Sequence, residues 1–183
     1  MGFVTMKQLS LAVFFGVISS VAGASGFSLG VSDDAVDASI NLAPIGDHGA
    51  VELRWLHNAS KDRDVLSAGF FVNGQRAELS GRLGVKGYWA EVKKDDGYGF
   101  ALGGDFSLAV NDVVSLLASG YWGPSSLSFS DVEGYKEWAV GANISVFENA
   151  IVTLTYGSIK IDTNRYDDKT VDDGLKIGLK LNY

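Results

Sequence analysis

The last ten residues, Gly174 to Tyr183, read G-L-K-I-G-L-K-L-N-Y, and no other stretch restricts the fold so tightly. Successive side chains of a strand point to opposite faces. Leu175, Ile177, Leu179, Leu181 and Tyr183 therefore share one face, and Lys176, Gly178, Lys180 and Asn182 share the other. An apolar face against a small or charged one, closed by an aromatic residue, suits a barrel strand whose outside meets lipid. The rest of the chain is read as the set of strands needed to close a sheet with it.

Ahead of that sheet stands a different pattern. Lys7 supplies a positive charge, Leu9 to Val21 is apolar, and Ala22-Gly23-Ala24 is a small-residue cleavage signal. Residues 1–24 read as a secretory signal peptide and 25–183 as one domain. Their removal takes away Lys7 and no acid, so the net charge becomes 14 − 22 = −8. That balance excludes the basic face that nucleic-acid partners require. With no cysteine in an exported chain, there is no disulfide scaffold. No later run is apolar and long enough for a spanning helix, so membrane residence requires a closed β-barrel.

The same alternation recurs along the chain. Apolar faces are predicted at Phe27–Val31, Val36–Leu42, Val51–Trp55, Leu66–Val72, Leu79–Trp89, Phe100–Leu108, Val114–Trp122, Trp138–Val146, Val152–Tyr156 and Leu175–Tyr183. These make ten antiparallel strands, or eight if the first hairpin stands outside the barrel. Turns at 43–49, 73–76 (on Asn73-Gly74), 110–112 and 147–149 are short. Loops at 57–64, 90–97, 123–134 and 162–173 are longer, with 33–35 the short exception. Short turns on one side and longer loops on the other are the build of outer-membrane barrels.

The aromatic residues fall in two groups. Trp55, Trp89, Trp122 and Trp138 stand toward the loop ends, and Phe70, Phe106, Phe147 and Tyr183 toward the turn ends. Amphipathic rings at both interfaces of a bilayer form two such belts. The competing reading is a soluble sandwich or lipocalin-like barrel with these rings in its core. It ranks second because the less apolar face is rich in Gly, Ala and Ser, which suits a narrow lumen.

The inward set contains five acids and five bases: Asp37, Glu52, Glu78, Asp105 and Glu137, with Arg54, Arg82, Lys86, Lys176 and Lys180. Confined charges need partners, so equal numbers point to a salt-bridged lumen. A barrel of this size is also close to what side chains fill.

Chemistry-bearing motifs are sparse. His48 and His57 are the only histidines. His57 with Asp62 and Asp64 resembles a rim acid/base site, since a barrel protease or acyltransferase needs His and Asp at its mouth. The spacing matches neither, and a polar rim residue is the favoured reading. The outer connections carry Asp33, Asp34, Asp62, Asp64, Asp95, Asp96, Asp131, Glu133, Asp162, Asp167, Asp168, Asp172 and Asp173. Pairs such as Asp95-Asp96 could hold Ca²⁺ or Mg²⁺, but no spaced loop signature accompanies them. A solvated, mutually repelling surface is expected instead, with no metal and no cofactor.

Gly97-Tyr98, Gly103-Gly104, Tyr121-Trp122, Pro124, Ser125, Leu127, Ser128, Tyr135, Glu137, Ala139, Gly141 and the run Asp173 to Tyr183 resemble the YfaZ family of small Gram-negative outer-membrane proteins. The resemblance implies that location and fold, and brings no catalytic motif. Tyr183 departs from the Phe more usual at barrel termini. The expected function is structural or surface-interacting, without enzymatic activity and as a monomer. Its expected partners are outer-membrane lipid, lipopolysaccharide and, through the last strand, the barrel-assembly machinery. The alternatives are a narrow selective pore and, with low weight, an outer-membrane protease or lipid acyltransferase.

Overall fold

The computed structural model describes residues 24–92, 95–164 and 166–182. The signal-peptide segment up to residue 23, Lys93 and Tyr183 lie outside the described residues, as do the side chains of Asp167 and Asp168. Ten long strands make one closed antiparallel barrel, as the alternation predicts. They are β1 (Ala24–Val31), β2 (Ala35–Ile45), β3 (Gly49–Asn58), β4 (Arg63–Arg76), β5 (Leu79–Val92), β6 (Asp95–Ala109) and β7 (Val114–Gly123). After the short β8 (Ser128–Ser130) come β9 (Val132–Phe147), β10 (Ala150–Thr163) and β11 (Tyr166–Asn182).

Neighbours in the chain pair in order, and β1 pairs with β11, with Leu29 opposite Leu179 and Gly30 opposite Gly178. The last strand thus closes the ring on the first. β8 is a continuation of the β7 wall: Trp122 lies opposite Leu102 of β6, and Ser128 opposite Gly99. Between them a single 3-10 turn, Ser125–Leu127, takes up the surplus residues.

Two expectations need correction. The β4–β5 turn is at Ala77 and Glu78, not at Asn73-Gly74, which pair with Arg82 and Gly81 in the ladder. The register is set lower down, where outward Phe70 and Val72 face Val85 and Leu83, and it carries the strands past the Asn-Gly signal. Ala77 turns the chain with a φ of 51°. The connections at 90–97 and 162–173 are also largely strand, because β10 and β11 stay paired up to Thr163 opposite Tyr166.

These extensions have inverted polarity. Toward the turns, Val85, Leu102, Leu116, Val140, Leu154 and Ile177 are exposed on the outside. Toward the loops, Ala90, Val92, Val132, Ile159, Ile161 and Val171 are buried inside, and Glu91, Asp96, Glu133, Lys136 and Lys160 lie outside. An outward apolar band of this extent belongs against lipid, and the inverted extension is built for water on its exterior.

Candidate functional site

The lumen is the place where chemistry-bearing side chains converge. Its loop half is filled by one apolar cluster, in which Leu56, Ala90, Tyr135, Ile161 and Val171 are each at most 1% exposed. Glycines make the room. A Cβ at Gly84 would lie 2.7 Å from the Phe71 ring, and one at Gly103 would lie 2.6 Å from the Tyr121 ring. Tyr88 stacks on Tyr135 with centroids 4.6 Å apart, and Phe71 meets Tyr121 edge-on at 6.2 Å.

Below that plug lies a layer of paired charges. Arg54 donates from Nε to Asp37 Oδ1 at 2.8 Å and from Nη2 to Asp37 Oδ2 at 2.6 Å. Its Nη1 reaches across the barrel from β3 to Glu137 Oε1 on β9. Glu137 Oε2 also accepts from Lys86 Nζ and from the Tyr135 hydroxyl, each at 2.6 Å. Lys176 Nζ bridges Asp37 at 2.8 Å and Asp172 at 3.0 Å. Lys86 further sits 3.5 Å from the centroid of the Tyr121 ring. Pairing this complete is what a charge layer against an apolar plug requires, because an uncompensated ion there costs several kcal/mol.

A second group lies toward the turns. Arg82 Nε donates to Asp105 at 2.5 Å and Nη2 to Glu52 at 2.6 Å, while Tyr121 donates to the same Asp105 oxygen at 2.6 Å. From here the lumen opens as a cup of about 980 Å³ toward the turn end. Ser28, Ser39, Asn41, Ser119, Asn143 and Thr153 are among its lining residues, and the charge layer is its ceiling.

The structure therefore brings Asp37, Glu52, Arg54, Arg82, Lys86, Asp105, Glu137, Lys176 and Lys180 into the lumen. Glu78 is a correction: it is exposed in the β4–β5 turn, which the shifted hairpin places outside the lumen. Asp172, read from the sequence as a loop acid, is 5% exposed and takes its place inside. Asp64 and Asp95 are buried too, so part of the acid set is structural rather than a solvated, repelling surface.

Among the belt residues, Trp122, Trp138, Phe70, Phe106 and Phe147 are exposed on the outside, and Trp55 and Trp89 are half-buried. Tyr98, Phe129 and Tyr156 join them on that face, with Tyr98 stacked on Phe129 at 5.3 Å. Tyr156 already ends the predicted Val152–Tyr156 face, and the place of Tyr98 between Gly97 and Gly99 was the signal that would have found it. At the rim, Asp64 Oδ1 accepts from Trp55 Nε1 at 3.2 Å and lies 3.0 Å from His57 Nδ1. The His57 ring stacks on Trp55 at 5.7 Å. Asp62 is exposed in the adjoining turn, and His48 is exposed at the opposite end. Among the described residues, no three His, Asp or Glu side chains are arranged to hold a metal ion.

Comparison with known proteins adds a family. The family model described as YfaZ precursor matches residues 6–183. The sequence is 25% identical to Outer membrane protein YfaZ of Escherichia coli (strain K12) over 184 residues, 97% of this chain and all of that protein. Among solved structures, the NanC porin is similar with a TM-score of 0.48 and 6% identity, over 88% of this chain and 100% of that one. The outer membrane channel DcaP of Acinetobacter baumannii gives 0.45 and 10%, over 90% of this chain and 55% of that one.

Proposed function

The chain belongs to the YfaZ family and is an outer-membrane β-barrel protein, and from that premise we propose that it is a non-conducting barrel of structural and surface-interacting role. One observation carries this reading: the Tyr88–Tyr135 stack lies over the Lys86–Glu137–Arg54–Asp37 layer and fills the loop half of the lumen. Ions crossing that layer would have to break paired charges and then enter an apolar plug. The test is planar-bilayer recording of the native protein, expected to stay silent. Discrete single-channel events would refute it and favour the narrow pore, for which the cup already supplies half a water path.

On this reading the outward apolar band meets outer-membrane lipid. The exposed loop-end acids Asp33, Asp34, Asp96 and Glu133 meet the cations bound by lipopolysaccharide or an external partner. The protein works as a monomer, reaches the membrane through assembly machinery that engages β11, and loses residues 1–24 on export. A mature N-terminus at Ser25, found by sequencing the protein from membranes, is the outcome expected. No enzymatic role is proposed. His57 and Asp64 serve instead to hold Trp55 at the rim, through the stack and the two contacts to Asp64 Oδ1. His57→Ala is accordingly expected to leave lipid- and peptide-cleaving activities of the membrane unchanged.

A further inference from the structure

We infer that the turn-end cup is a binding site for a small polyhydroxylated carboxylate, with Lys180 holding the carboxylate. The inference concerns the open half of the lumen and does not depend on whether the barrel conducts.

Space and lining come first. A volume of about 980 Å³ lies at the upper end of the range for small-molecule sites, roughly 300–1,000 Å³. Many hydroxyls and amides stand on the walls, and several are already paired with each other: Ser28 Oγ with Ser39 Oγ at 2.6 Å, and Thr153 Oγ1 with Asn143 Oδ1 at 2.9 Å. Each such group can donate and accept. A surface of this kind matches a ligand that carries several hydroxyls along a carbon skeleton.

Charge then selects within that class. Of the cations lining the cup, Arg54 is held by Asp37 and Glu137, Lys86 by Glu137, and Lys176 by Asp37 and Asp172. Arg82 is held by Glu52 and Asp105, with a third contact to Asn41 at 3.4 Å. Lys180 differs. It lines the same cup opposite Ser28 in the β1–β11 ladder, and among the described residues it makes no ion pair or hydrogen bond. Both nearby acids, Glu52 and Asp105, bond Arg82 through one carboxylate oxygen each and make no ion pair with Lys180. One ammonium group with its donors free matches one carboxylate, and charge-assisted hydrogen bonds are the strong ones. Water alone would fill the cup without using this arrangement, and that is the competing account.

The test titrates the isotope-labelled barrel, folded in detergent micelles, with gluconate and follows the backbone amide signals. Glucose supplies hydroxyls without charge, and acetate supplies charge without hydroxyls. Saturable shifts at Ser28, Ser39 and Lys180 are expected with gluconate, and roughly tenfold weaker binding with either control. Lys180→Gln should weaken gluconate by a similar factor and leave the loop-half signals in place. Linear, non-saturating shifts with gluconate would overturn the inference, as would equal binding of acetate or an unchanged affinity in Lys180→Gln. The three-probe titration of the native protein decides the matter even if that variant does not fold.

Discussion

The loop half and the turn half of this barrel are made from the same strands with the same two-residue alternation, yet they are opposites. In the loop half Tyr88, Ala90, Ile159 and Ile161 point inward, and Glu91 and Lys160 point out. In the turn half Leu102, Leu116 and Ile177 point out, and Ser119, Asn143 and Thr153 line the inside. Alternation decides which residues share a face. The solvent on each side decides which face is apolar. A strand that leaves lipid for water must exchange its faces, and the Asp37–Arg54–Glu137–Lys86 layer stands where that exchange takes place. What fills the lumen is therefore the apolar cluster of the half whose exterior meets water.

The largest effect is expected at the boundary between the halves. Glu137→Ala leaves Arg54 and Lys86 without a shared partner and the Tyr135 hydroxyl without its acceptor. Removing one side of a buried pair typically costs about 3–5 kcal/mol. Urea unfolding of the barrel in lipid vesicles should show a loss of that size, and a loss below about 1 kcal/mol would mean that water already compensates the layer.

Next comes the plug itself. Tyr135→Ala removes the ring stacked on Tyr88 and opens a cavity beside the charge layer. Truncating a large buried aromatic side chain costs about 3–5 kcal/mol, less where the site can collapse. The same variant should turn a silent barrel into a leaky one in planar bilayers if the plug, rather than the charge layer, holds the seal.

How much of this was legible in the sequence follows from the same contrast. The turn half was readable because its apolar residues alternate with Gly, Ser and Ala: the outward Leu83, Val85, Leu102 and Ile177 and the ten-strand closure all come from that pattern. The loop half was not, because the search for an outward apolar face ends where the faces exchange. The predicted outward faces thus stop at Trp89 and Tyr156, although Ala90, Val92, Ile159 and Ile161 continue the alternation in the other phase. Asp172 was read as a loop acid for that reason. Nine of the ten inward charges lay on strands whose phase was clear, and Glu78 was misplaced because Asn73-Gly74 looked like a turn while the Phe70–Val85 register carried β4 past it. Phe71 and Tyr121 each face a glycine across the ladder, Gly84 and Gly103, and that pairing was readable only once the register was known.

The outer surface offers a sharper contrast of intermediate size. Val85 is exposed near the middle of β5 and faces Phe70 and Leu102 across its ladders. Arg or Lys on a lipid-facing strand at mid-bilayer costs about 2–4 kcal/mol. Val85→Arg should therefore lower stability in vesicles by that amount, while Glu91→Arg on the same strand should change it by less than about 0.5 kcal/mol. Equal costs at the two positions would mean that lipid covers the loop half as well, and the inversion would lose its cause.

The smallest effect belongs to the cup, and its smallness is the point. Ser119 faces the open lumen on β7, with Asp105 opposite it in the ladder. Its hydroxyl makes none of the charge-layer bonds, and water can take its place. Ser119→Ala should alter unfolding in vesicles by no more than about 0.5 kcal/mol. The matched change in the plug is Ala101→Ser, which puts a hydroxyl at a position with no exposure at all. There it costs about 1–3 kcal/mol unless it finds a partner. One residue pair exchanged in opposite directions thus measures the wetness of each half. A cup that tolerated Ser119→Ala as poorly as the plug tolerates Ala101→Ser would be a second dry core, closed to any ligand.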